Sequence, residues 1–325
     1  MIVSNLTHTS TSILRASVGP PESCKAVSFM IASRFIRPLL STSAAFASFI
    51  RPVNTPHISG LVQQPVRKMH ILSIPMWVGS SNNYAYLVSD DETKDAVIID
   101  PANPPEVLPV LEEKSKSLNL TAIMNTHHHW DHAGGNKKIL DALPSKIPVI
   151  AGKDSEGVTK TPSHGSSFSI GKNIQVTALH TPCHTQDSIC WFMEDKVTGE
   201  RVVFTGDTLF IGGCGKFFEG NGTEMNKALN EILGSLPDDT KVYPGHEYTK
   251  SNVKFLKQVD GENEAVKNLE RFADQNKETQ GKFTIGDEKA HNAFMRTSSE
   301  EMKKVTGKSE AHEVMAALRE MKNAS

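Results

Sequence analysis

The chain has 325 residues, a formal net charge of −2 and 38% hydrophobic residues, a composition typical of a soluble globular protein. The small net charge argues against a nucleic-acid-binding protein, which usually carries a strong basic excess. The four cysteines form no CxxC pair and no disulfide-like framework, which indicates a reducing compartment.

The first 68 residues differ from the rest in charge. They contain seven basic residues and one acid, a net charge of +6, so the remainder carries −8. Their basic residues punctuate apolar runs in a segment rich in serine, threonine and alanine, which is the mitochondrial presequence pattern. We expect residues 1–68 to be a disordered presequence for the mitochondrial matrix. A tail without a targeting role is one alternative, and a cytosolic form starting at Met30 or Met69 is another. The most apolar uncharged run, residues 38–50, is shorter than the roughly 20 residues of a membrane span.

Residues 69–248 read as layered α/β structure. Short apolar or β-branched runs, separated by turn residues, predict strands at 70–74, 84–88, 96–100, 121–124, 149–150, 174–179, 188–193, 202–204 and 241–243. Helices are predicted at 105–118, 136–143 and 224–233. Residues 249–325 are polar and helix-favouring, and they predict a helical extension interrupted by a loop at 281–286.

The segment 126–132, Thr-His-His-His-Trp-Asp-His, concentrates metal-ligand side chains directly after a predicted strand. In an extended segment alternate side chains point the same way, which would place His127, His129 and Asp131 on one side, with His132 following from the next turn. Imidazole and carboxylate donors suit zinc, iron or manganese. One histidine alone is usually an ordinary core or surface residue, but that reading does not explain the whole cluster.

Three further donors follow later predicted strands: His184, Asp207 and His246. Each is a weak signal alone, because His184 reads equally as a loop histidine and Asp207 as a helix N-cap. Together with the first cluster they supply enough donors for two adjacent metal ions.

In this arrangement residues 69–248 resemble the metallo-β-lactamase superfamily. The resemblance implies an αββα sandwich with two divalent metal ions, zinc in the first instance and iron or manganese as alternatives. It puts His127, His129 and His184 on one metal. It puts Asp131, His132 and His246 on the other, with Asp207 bridging and with His128 and Trp130 at variable positions. Such a metal pair lowers the pKa of a shared water, and Asp131 would also orient the resulting hydroxide.

Segments outside the metal motif resemble the hydroxyacylglutathione hydrolase (glyoxalase II) family from about residue 69 to 325. They lie at 212–220, 244–249, 281–296 and 314–322. The resemblance implies hydrolysis of S-D-lactoylglutathione to D-lactate and glutathione, with residues 249–325 as a glutathione-binding helical domain. The glutathione contacts it implies are Lys216, Tyr248, Arg319 and Lys322. Phe218 lies at a substrate-binding position where many family members have tyrosine, so a hydroxyl that helps to hold glutathione would be missing.

Two rival functions remain open: a mononuclear iron persulfide dioxygenase, and an inactive, metal-stabilised protein that binds glutathione conjugates. We expect a monomer that acts on a small molecule, without a nucleic-acid or membrane partner. Cys183 is expected to be a spectator beside His184, and Arg296 to join the helical extension to the core.

Overall fold

The computed structural model describes residues 68–325, so almost all of the predicted presequence, residues 1–67, lies outside the described part. The first sheet has the order β1-β2-β3-β4-β5, with β1, β2 and β3 antiparallel and β3, β4 and β5 parallel. Its strands are β1 (Met69–Met76), β2 (Asn83–Asp90), β3 (Asp95–Ile99), β4 (Asn119–Met124) and β5 (Val149–Ile150). Its helices are α1 (Pro104–Lys114), α2 (Trp130–Ala133) and α3 (Asn136–Ala142).

The second sheet has the order β12-β9-β8-β7-β6, in which only β12 and β9 run parallel. Its strands are β6 (Ser167–Ile170), β7 (Ile174–His180), β8 (Ile189–Asp195), β9 (Arg201–Gly206) and β12 (Lys241–Pro244). A small antiparallel ribbon, β10 (Leu209–Phe210) and β11 (Gly213–Cys214), follows β9.

The two sheets pack face to face, and strand β2 shows why. All eight of its residues are buried, because its alternating side chains face two different apolar layers. Tyr86 and Val88 face the second sheet, where they meet Trp191 and Phe204. Leu87 belongs to the layer between the first sheet and helices α1 and α3. Burying a large apolar side chain contributes roughly 1.5–3 kcal/mol, so these two layers hold the first sheet between the second sheet and the helices.

The remaining helices cover the outer face of the second sheet. They are α4 (Gly222–Asn226), a π-helical stretch (Lys227–Ile232), two 3₁₀ turns (Leu233–Ser235 and Ala293–Met295), α5 (Thr249–Asp260), α6 (Glu264–Gln275), α7 (Ile285–His291), α8 (Glu300–Thr306) and α9 (Ala311–Asn323). Val203 and Val242 of the sheet share one buried cluster with Leu256 of α5 and Leu318 of α9. The predicted αββα sandwich with C-terminal helices is confirmed. Within residues 68–325 no helix is long and apolar enough to cross a membrane.

Three local predictions need correction, and edge strand β6 was not predicted. The helix predicted at 105–118 ends at Lys114, and the one predicted at 224–233 is mostly π-helical. The sequence gives little sign of strand β6, because it is a four-residue edge strand with one fully buried side chain.

Arg296 does not join the extension to the core. Its guanidinium pairs with Asp260 at the end of α5 and lies 3.6 Å from Glu301 of α8, because the preceding 3₁₀ turn buries Phe294 and leaves Arg296 at the ends of these helices.

Candidate metal centre

All seven predicted ligands meet at one end of the sandwich, just beyond the ends of strands β4, β7, β9 and β12. Since β9 and β12 are parallel neighbours, Asp207 and His246 leave the sheet at the same end. Two glycines permit the close approach of these segments. A Cβ on Gly206, whose φ is +49°, would collide with the Thr126 side chain, and one on Gly245 would lie 2.6 Å from Asp207 Oδ1.

The first group of donors consists of His127, His129 and His184. His129 Nδ1 lies 3.0 Å from His127 Nε2 and 3.1 Å from His184 Nε2. Three imidazole nitrogens therefore converge on one point, an arrangement that could hold a single metal ion.

The second group consists of Asp131, His132 and His246. His246 Nε2 lies 3.2 Å from His132 Nε2 and 3.5 Å from Asp131 Oδ2. The expectation that Asp131 shares a side with His127 and His129 is wrong, because the extended segment ends at His129 and α2 begins at Trp130. The helical turn carries Asp131 and His132 together into this second group.

Asp207 lies between the two groups. Its Oδ1 is 3.3 Å from His132 Nε2, and its Oδ2 is 3.5 Å from His184 Nε2. Among the described residues Oδ1 is buried without a hydrogen-bond partner. A buried carboxylate oxygen in that state is costly unless a cation or water satisfies it, so the carboxylate fits a position shared by two metal ions.

Hydrogen-bond acceptors outside the cluster orient the imidazoles. His132 Nδ1 lies 3.0 Å from Asp100 Oδ2, His184 Nδ1 lies 2.9 Å from the Lys216 carbonyl oxygen, and His246 Nδ1 lies 2.9 Å from the Ser81 carbonyl oxygen. A proton held on each Nδ1 leaves each Nε2 free to bind a metal. Together with the carboxylates, this donor set fits a pair of divalent cations.

The electrostatics differ between the histidines of the cluster. For His132 and His246 burial works against the charged imidazole, yet the Asp207 carboxylate raises the pKa of both rings. Burial lowers the pKa of His127 and of His184, which favours the neutral imidazole that binds metals. Burial works against ionisation of Asp207, yet His246 and His132 together hold the pKa of its carboxyl well below the usual range. Burial raises the pKa of the Cys183 thiol to about 12, and its Sγ donates to the Asn221 carbonyl oxygen, so it offers no thiolate to this site.

The donors open into a cavity of about 590 Å³. Residues predicted to contact glutathione also line it: Lys216, Phe218, Tyr248, Arg319 and Lys322.

The hydrogen-bond donors of the cationic side chains in this cavity are only partly used. Arg319 Nη1 donates to the Cys214 carbonyl oxygen at 3.1 Å, whereas its buried Nε has no partner in residues 68–325. The Lys322 ammonium donates to Asn252 Oδ1, and burial lowers its pKa to about 8. The cavity therefore combines a metal-binding cluster with donors for anionic groups.

Several residues that shape the site were missed in the sequence. Asn83 Nδ2 donates to Asp131 Oδ2 at 3.1 Å and lies 3.3 Å from His246 Nε2, but nothing in its sequence context indicates this. Asp100 could have been found, since it ends a predicted apolar strand with a carboxylate. Phe210 and Asn252 also line the cavity, at positions that depend on the packing of α5 and the β10–β11 ribbon.

The sandwich and its donor cluster define a protein of the metallo-β-lactamase type. The family model described as "Metallo-beta-lactamase superfamily" matches residues 78–265, and "Hydroxyacylglutathione hydrolase C-terminus" matches residues 247–325. A probable hydroxyacylglutathione hydrolase of Schizosaccharomyces pombe is 52% identical, with 79% of this chain and 99% of that protein covered. The mitochondrial hydroxyacylglutathione hydrolase of Saccharomyces cerevisiae is 42% identical, with 80% and 98% covered. The crystal structure of ETHE1 from Myxococcus xanthus has a TM-score of 0.55 and 27% identity, with 77% and 90% covered. The chain belongs to the hydroxyacylglutathione hydrolase family.

Proposed function

We propose that this chain hydrolyses S-D-lactoylglutathione to D-lactate and glutathione with two bound divalent metal ions. The observation that carries the proposal is that the donor groups, joined by Asp207, open into the same cavity as Lys216, Arg319 and Lys322. Curated relatives of 42–52% identity that carry the name hydroxyacylglutathione hydrolase support it.

The chain's own residues would bind and orient the substrate. Glutathione carries two carboxylates, for which Arg319 and Lys322 offer donors from one face of α9. Lys216 lines the same cavity and would add a further positive charge. The Phe218 ring lies 5.2 Å from the His184 ring, which places an apolar surface beside the first donor group. These contacts would hold the thioester within reach of both donor groups.

Two divalent cations at these donors would lower the pKa of a shared water toward neutrality and polarise the thioester carbonyl. Asp131, held by the Asn83 amide, would orient the attacking water, and Asp207 would lie between the two cations. The C–S bond breaks as the C–O bond forms, and the thiolate takes up the proton that the water loses. A thiol with a pKa of roughly 8.5 leaves readily, so no separate general acid is required.

Zinc is the proposed metal, with iron and manganese as alternatives that the same nitrogen and oxygen donors accept. We propose the mitochondrial matrix as the location because of the composition of residues 1–68. Relatives of comparable identity are named for either location. The S. cerevisiae cytoplasmic isozyme is 46% identical to this chain, and the S. cerevisiae mitochondrial enzyme is 42% identical.

The test is hydrolysis of S-D-lactoylglutathione by purified, metal-loaded protein, followed at the thioester absorbance, with metal content measured on the same sample. We expect turnover, two metal ions per chain, and loss of turnover in Asp207→Ala but not in Asp141→Ala, a change at an exposed position of α3. Binding of the thioester without cleavage would favour the inactive binding protein. Oxygen consumption with glutathione persulfide and one iron per chain would favour the dioxygenase.

A further inference from the structure

A second cluster of metal-ligand side chains lies beside the first, outside the lining of the substrate cavity. It consists of His128, Asp154 and Asp187, which each offer one donor atom within 4.8 Å of the others. The members of this cluster are not among the residues that line the cavity in the described part of the chain. We propose that these three residues bind a third divalent cation.

Asp187 is the residue that points to a ligand. Its side chain is 0% exposed. Its Oδ1 accepts a hydrogen bond from Thr185 Oγ1 at 2.8 Å and lies 2.8 Å from His128 Nδ1. Its Oδ2 is buried and, within residues 68–325, has no hydrogen-bond partner. A buried carboxylate oxygen requires a donor or a cation to offset its lost hydration.

The unpartnered oxygen lies close to the turn that carries Asp154. A Cβ on Gly152 would lie 2.5 Å from Asp187 Oδ2, so this oxygen packs closely against the backbone two residues before Asp154. Asp154 itself is exposed. The site is therefore closed on the Asp187 side and open on the Asp154 side, where an ion could enter and keep some of its waters.

The other ring nitrogen of His128 lies near a second carboxylate, at a distance longer than a hydrogen bond. With Nδ1 directed at Asp187, its Nε2 lies 3.8 Å from Glu219 Oε1. Metal-bound imidazoles commonly direct their other ring nitrogen at a carboxylate, which holds the ring in place and makes the ligating nitrogen more basic. Glu219 itself is held there, since its Oε2 accepts a hydrogen bond from the Gln186 amide at 2.6 Å.

One imidazole and two carboxylates form a donor set that suits zinc or manganese, with water completing the coordination. Two negative charges close together repel each other, and a divalent cation would neutralise both. An ion bound there would fix His128, and with it the backbone between His127 and His129, two donors of the first group. The cluster would thus support the neighbouring centre without contacting substrate.

Manganese is the probe, because Mn²⁺ binds such sites more weakly than Zn²⁺ and so does not displace zinc from the main centre. Full-length protein carrying two zinc ions per chain is titrated with Mn²⁺. The electron paramagnetic resonance signal measures the free ion, and bound manganese is the total added minus the free ion. We expect one bound Mn²⁺ per chain. Asp154→Asn should raise its Kd about tenfold or more, and Asp187→Asn should abolish binding.

Asp141→Asn, at an exposed position of α3, is the matched control and should bind manganese like the unmodified chain. Absence of saturable Mn²⁺ binding with zinc retained would overturn the proposal, since it would mean that a water satisfies Asp187 Oδ2. Binding that persists unchanged in Asp154→Asn would also overturn it. If Asp187→Asn does not fold, Asp154→Asn decides alone. The measurement counts an ion directly, so its result is independent of whether the protein hydrolyses the thioester.

Discussion

Replacing Lys322 by methionine should stabilise the fold while weakening substrate binding. Burial lowers the pKa of Lys322 from 10.5 to about 8, so keeping the ammonium protonated in the folded state costs at most about 3 kcal/mol. Methionine removes that cost but also removes the charged hydrogen bond to Asn252 Oδ1 and the cation–π contact with Phe294, together about 2 kcal/mol. The net gain is about 1 kcal/mol, which corresponds to a rise in Tm of about 3 °C.

The pH dependence of that gain follows from the same values. Between about pH 8 and 10.5 the unfolded chain holds a proton on Lys322 that the folded chain has released. The destabilisation by Lys322 is therefore fully present below about pH 8 and disappears as the pH rises toward 10.5. Thermal melting of Lys322→Met and the unmodified chain, at equal metal content, should differ most at pH 7 and little at pH 10.

Enzyme kinetics on the same variant test the proposed glutathione contact. Loss of a charged hydrogen bond, about 1.5–3 kcal/mol, should raise KM for S-D-lactoylglutathione roughly 10- to 100-fold and change kcat little. Lys254→Met, at an exposed position of α5, is the matched control and should change neither KM nor Tm. A lower Tm for Lys322→Met at pH 7, or a Tm difference that does not vary with pH, would refute the reasoning.

Three further substitutions test other parts of the site and fold. Asp207→Asn should lower kcat by about 100-fold or more together with the metal content, and undiminished metal binding by this variant would contradict the bridging position. Phe218→Tyr should lower KM about threefold at constant kcat if the added hydroxyl reaches glutathione, a gain of about 0.6 kcal/mol. Arg296→Ala should lower the free energy of unfolding by about 1–3 kcal/mol, because the partly buried Asp260 carboxylate loses its cationic partner and keeps only the hydrogen bond from Asn263. Its KM should stay unchanged, and a raised KM would place Arg296 in the substrate site after all.

The first metal-ligand segment could be predicted because its donors are adjacent in the chain and follow an apolar strand. The division of these donors between the two metal-ligand groups could not be derived from the alternation of side chains along an extended segment. It depends on where the extended backbone stops, and α2 begins at Trp130, before Asp131. Arg296 was misplaced for a similar reason. Its sequence context shows a cation near a buried turn, but its partner Asp260 lies 36 residues earlier in the chain and meets it only when α5 and α8 pack.

Two aspartates show why a sequence cannot separate a satisfied carboxylate from an unsatisfied one. Asp100 and Asp187 each contact one histidine of the motif, His132 and His128 respectively. Asp100 Oδ1 accepts from the Thr126 amide and its Oδ2 from the Thr126 hydroxyl, so both of its oxygens have donors and the residue serves only to orient His132. Asp187 Oδ2 has no donor in the described part of the chain and faces the turn at Gly152 instead. The two residues have the same chemistry and a similar partner, and only the packing around the second oxygen distinguishes an orienting carboxylate from a candidate metal ligand.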